Sequence, residues 1–145
     1  EIKISRQPFI QPLVLDLSNP SPAIGVNNSE RQSFLSRIKV DLVMALAVIH
    51  HLAIGKNIPL EKIAALFSHA ARLLIIEFVP KTDEKIQLML RSKKDIYTGY
   101  TKENFEQVFT KHFTVLDKKL VADSGRTLYL MKCNAPILRA PYGYT

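Results

Sequence analysis

Tryptophan is absent from this 145-residue chain, cysteine occurs once, and glycine is limited to five positions. A lone Cys133 excludes an internal disulfide, so a reducing, cytoplasmic compartment is the expectation. The glycines stand at 25, 55, 99, 125 and 143. No two of them form a G-x-G pair, the arrangement that lets a turn close tightly against a nucleotide. Long apolar runs are also missing: the longest is interrupted by His50 and His51, short of the roughly 18 residues a membrane span needs. The opening residues, EIKISRQPF, lack the charged-then-apolar layout of a signal peptide.

What remains is the composition of one globular domain, 47% hydrophobic and 23% charged. The formal charge of +7 raises the question of nucleic-acid binding. Its densest groups, Arg91, Lys93 and Lys94 and then Lys118 and Lys119, are not interleaved with aromatic residues as a base-stacking surface would be. A solvated basic face, or loose attraction to an anionic substrate, accounts for them better. There is no internal repeat and no low-complexity segment.

Strands and helices alternate along the chain. LVLDL, residues 13–17, reads as a short strand before the turn-rich SNPSPAIGVNNS. Ser29 is a possible cap for a short helical turn carrying Phe34, Leu35 and Ile38. DLVMALAV shows no alternation of apolar and polar residues, the pattern of a parallel strand buried on both faces. Pro59 suits the first position of a helix, whose apolar face carries Ile63, Ala64, Phe67, Ala70 and Ala71. LLIIEFV, residues 73–79, is a second buried strand, so 41–79 forms a strand, helix, strand unit with a right-handed crossover. Thr82 is expected to cap a helix opening with Asp83 and Glu84. A further helix follows Thr101, with Phe105, Val108 and Phe109 as its core stripe. FTVLDKKLVAD and RTLYLMK flank the turn signal Ser124-Gly125 and predict an antiparallel hairpin.

This order predicts an α/β fold with a mixed sheet and helices on both faces. The succession LVLDL, DLVMALAVIHHL, helix, LLIIEFVPK, helix and a closing hairpin around SGRTLYLM resembles the second half of a class I methyltransferase that uses S-adenosylmethionine. The resemblance covers roughly residues 11–132. It implies a partial Rossmann-like three-layer sandwich in which only the last strand is antiparallel, with 11–133 as its C-terminal part and 1–10 and 134–145 as flanking segments. LVLDL would be the third strand of that family, DLVMALAV the fourth, LLIIEFV the fifth, and the hairpin the sixth and seventh. The family's glycine-rich cofactor loop has no counterpart here, which makes the chain a fragment on this reading. The implied activity is methyl transfer to an unknown acceptor, by alignment of the reactants more than by acid–base chemistry. The competing reading is a non-enzymatic module that dimerises through an unpaired sheet edge or binds an anionic partner.

The candidate residues follow. His50 and His51 mark the carboxyl end of a parallel strand, where open α/β sheets bind ligands. Each is a candidate for ordering a loop, contacting the cofactor or acting as a base, set against a helix-start histidine bonded to backbone. Neighbouring side chains on a helix lie about 100° apart, and no Cys, Asp or Glu stands at ligand spacing, so no metal site is expected. Glu77, in an otherwise apolar strand, is either paired with Arg72 or another cation or faces an acceptor pocket. The resemblance implies cofactor contacts from Asp16 and Leu17, with Ala45 and Leu46 lining the cofactor at the end of the fourth strand. For Asp16 an ordinary loop cap is an equal alternative. Cys133 has no histidine beside it to activate the thiol.

Overall fold

The computed structural model describes residues 10–135. Its centre is a four-stranded sheet in the order β1-β2-β4-β3, formed by β1 (Val40–Ala45), β2 (Ala71–Phe78), β3 (Phe113–Leu120) and β4 (Thr127–Cys133). β1 and β2 are parallel, and β4 is antiparallel to both β2 and β3. The last strand alone therefore runs against the other three, and it is inserted between β2 and β3.

Four α-helices accompany the sheet among the described residues: α1 (Phe34–Arg37), α2 (Leu60–Ala70), α3 (Glu84–Leu90) and α4 (Lys102–Phe109). α2 buries Ile63, Ala64, Phe67 and Ala70, as their spacing of three and four dictates. α4 buries Phe105, Val108 and Phe109 behind a Thr101 cap, whose side chain accepts from the Asn104 N–H. The register places Leu74, Ile76 and Phe78 of β2 on the same sheet face as Tyr129, Met131 and Cys133 of β4. These residues and the helix residues form one core. Phe105 lies at its centre, its ring centroid 4.3 Å from that of Phe109, 5.1 Å from Tyr129 and 5.2 Å from Phe78.

Several expectations are corrected. Residues 13–17 form no strand: Leu13 and Val14 are exposed, and the chain turns at Asp16, which accepts from the Ser18 N–H and hydroxyl at 2.9 and 2.6 Å. A strand needs a neighbour to take its backbone hydrogen bonds, and this segment has none among the described residues. β1 is not buried on both faces: only Ala45 is buried, while Val40, Leu42 and Met44 are exposed. The sheet is covered on one face only among the described residues, so the three-layer arrangement is absent there. Local chemistry shifts three caps. Pro59 precedes α2 as its N-cap. Asp83 caps α3 in place of Thr82, accepting from the Lys85 N–H at 3.0 Å, and Ser33 caps α1 in place of Ser29. The expected tail beyond Ala135 lies outside the described residues. No helix among the described residues is long and apolar enough to cross a membrane.

Candidate functional site

β1 ends at Ala45, and the chain must turn at once to bring α2 back along the sheet. It does so through Ala47, in the left-handed region at φ 53°, a conformation that costs an L-residue roughly 1–2 kcal/mol. A carboxylate offsets that cost: Glu77 Oε2 accepts from the Ala47 N–H at 2.7 Å. The following residues wind into a π-helical turn, His51–Gly55, with His50 as its N-cap. Lys93 closes the turn from α3's side, its Nζ donating to the carbonyls of Ile54 and Gly55 at 3.0 and 3.1 Å.

Glu77 is 8% exposed. Its cation is Arg126, which donates from Nη1 to Glu77 Oε1 at 3.4 Å. Arg72 instead pairs with Asp41 at 3.6 Å, in solvent. Arg126 also grips Asp83, through Nε at 2.8 Å and Nη2 at 2.7 Å. Burial opposes ionisation of Asp83, but the Arg126 guanidinium and the Lys85 N–H hold its carboxyl below the usual range. One guanidinium thus ties together the end of β2, the start of α3 and the start of β4, and through Glu77 the loop after β1.

The two histidines part ways. His50 is buried and His51 exposed, with ring centroids 4.2 Å apart. Neither nitrogen of His50 has a hydrogen-bond partner among the described residues. Burial, reinforced by His51 and Arg126 and only partly countered by Asp83 and Glu77, lowers its pKa to about 4. At neutral pH it is an uncharged imidazole and a weak base. No group of three or more metal-ligating side chains occurs among the described residues.

A cleft of about 300 Å³ opens beside the same turn, with Ala53, Asn57, Leu60, Tyr97, Tyr100 and Asn104 in its walls. The Tyr97 hydroxyl donates to Asn57 Oδ1, and the buried Tyr100 hydroxyl donates to the Val79 carbonyl at 3.0 Å. Burial pushes the Tyr100 phenol up, so it stays protonated.

The remaining candidates stand apart from this network. Asp16 is exposed, bonded to Ser18 and 3.9 Å from Lys56; the Ser18 contacts, foremost its hydroxyl, lower its pKa. Leu17 packs against the core, Ala45 is inside it, and Leu46 is 48% exposed. Cys133 is buried, its thiol directed to the Ser68 carbonyl. Sequence reasoning missed Asp83 and Arg126 as site residues. The available signal was the arginine directly after the Ser-Gly turn, since a hairpin beside β2 brings its turn to the same end of the sheet as Glu77.

No family model matches the chain, and no solved structure does. It is similar to the nodulation protein NoeA of Rhizobium meliloti (strain 1021), 46% identical over 118 residues. That match takes in 81% of this chain and 25% of the rhizobial protein, so the chain spans about a quarter of its relative's length.

Proposed function

We propose that the chain supplies the acceptor-side part of an S-adenosylmethionine-dependent methyl-transfer site. The observation that carries this reading is the sheet: three mutually parallel strands, with the last strand alone reversed and inserted between β2 and β3. The His50 turn and the cleft at Tyr97 lie where an open α/β sheet receives ligands, beyond the carboxyl end of its parallel strands.

The described residues do not by themselves fit a nucleotide cofactor. Asp16 is committed to Ser18 and stands in an irregular segment, the Ala45 side chain is in the core, and no G-x-G loop occurs in the sequence. The proposal therefore assigns the holding of the cofactor chiefly to polypeptide outside these residues. This chain contributes a neutral buried imidazole, an exposed one, and a rigid strand end that orients both.

The test is calorimetric titration with S-adenosylhomocysteine. The samples are the 145-residue chain and a chimera, the rhizobial protein carrying this chain in place of its matching segment. Saturable one-to-one binding by the chimera and none by the chain alone is the expected result. Silence from both the chimera and the unaltered rhizobial protein would overturn the proposal.

A further inference from the structure

The sheet face opposite the helices is uncovered among the described residues; it is apolar over β1 and β2 apart from Glu77 at the end of β2, and charged towards β3, where Asp117, Lys119 and Lys132 share it by register. By register it carries Leu42 and Met44 of β1, Leu73 and Ile75 of β2, and Leu128 and Leu130 of β4. None of the six belongs to the core or packs against it, and Leu42 and Met44 are 42% and 59% exposed. β1 is also a free edge among the described residues. The two edges differ in kind. β3 carries Asp117, Lys118 and Lys119, charges of the sort that keep an edge from pairing with another strand. β1, with the sequence VDLVMA, has a single charge at Asp41.

We propose that this face and the β1 edge are the docking surface for a further α/β layer of the same protein: apolar helical faces over the six side chains and a strand along β1. Three observations select that occupant. All-parallel sheets are found with both faces covered by helices, and β1 and β2 form the parallel edge of this mixed sheet. The rhizobial relative matches this chain with 25% of its length, which leaves about three quarters of it to supply such a layer. A second copy of the chain would bring another formal charge of +7 against the first, which opposes self-association. This inference is independent of the methyl-transfer reading.

The experiment is thiol labelling. Met44→Cys is made in the isolated chain and in the chimera, with Leu88→Cys on α3, itself 64% exposed, as control. The expected result is that the thiol at position 44 reacts at least about tenfold more slowly in the chimera, while the thiol at position 88 reacts alike in both. In the isolated chain the rate at 44 is expected not to change with protein concentration. Equal rates at 44 in the two proteins would overturn the proposal. So would concentration-dependent protection in the isolated chain together with a dimer mass by sedimentation, since the occupant would then be a second copy. If the chimera fails to fold, the same cysteine at the aligned position of the rhizobial protein gives the same readout.

Discussion

Glu77 and Ala47, thirty residues apart, are joined by a 2.7 Å hydrogen bond from the Ala47 N–H to the Glu77 carboxylate. The bond fastens the end of one parallel strand to the first residue of the turn after its neighbour, and its other oxygen faces Arg126. Glu77→Ala leaves a partly buried N–H without its acceptor and a guanidinium with one carboxylate fewer, and should cost about 1–3 kcal/mol in urea denaturation. Glu77→Gln keeps an acceptor for Ala47 and should lose only about half of that.

Ala47 itself reports on backbone strain. At φ 53° a glycine removes the Cβ conflict but costs more chain entropy, so Ala47→Gly should be neutral or stabilising by up to about 1 kcal/mol. Ala47→Val, whose branched side chain fits that region worse, should destabilise by more than about 1 kcal/mol. Thermal melts of the two variants must differ in this direction; the reverse order would mean the turn is not held as described.

His50 makes stability depend on pH. Its folded pKa of about 4 lies below the ordinary 6.5, so between those values the unfolded chain binds more protons than the folded one. The contribution is complete above about pH 6.5 and is lost as pH falls towards 4. Between about pH 7 and pH 5 the loss should be up to about 2 kcal/mol. Asp16, Asp83, Asp95 and Glu106, all held below the usual carboxylate range, act on the acid side of this window. His50→Phe should flatten the profile between pH 5 and 7, as followed by denaturant midpoints; an unchanged slope would assign the effect elsewhere.

Arg126 holds two carboxylates, with its own side chain 20% exposed and theirs 11% at Glu77 and 9% at Asp83. Arg126→Leu leaves both without their cation and should cost about 2–4 kcal/mol. Arg126→Lys cannot reproduce the forked contact and should recover less than half. In a double-mutant cycle with Asp83→Asn, additivity would show that the pair does not interact.

Much of the architecture was legible because it rests on local patterns: the three-and-four spacing from Leu60 to Ala70, the Thr101 cap and the Ser124-Gly125 turn. β1 misled the sequence reading because its six residues have the composition of a fully covered strand, while its surroundings supply cover on one face alone. LVLDL misled it for a related reason, since an apolar run becomes a strand only where a neighbour completes its hydrogen bonds. The site was half legible. His50, His51 and Glu77 stand out as polar residues in apolar runs, but Asp83 and Arg126 look like an ordinary helix-start acid and a turn cation. Only the pairing of β2 with β4 brings those two together.

Photolabelling with methyl-radiolabelled S-adenosylmethionine tests the central proposal most directly. Irradiation of the chimera and tryptic digestion release residues 40–56 as one peptide, bounded by Lys39 and Lys56; it contains β1, Ala47 and both histidines. Label in that peptide, displaced by S-adenosylhomocysteine, is the predicted result. A chimera that binds the cofactor analogue yet leaves residues 40–56 unlabelled would contradict the placement of this strand end at the methyl-transfer site.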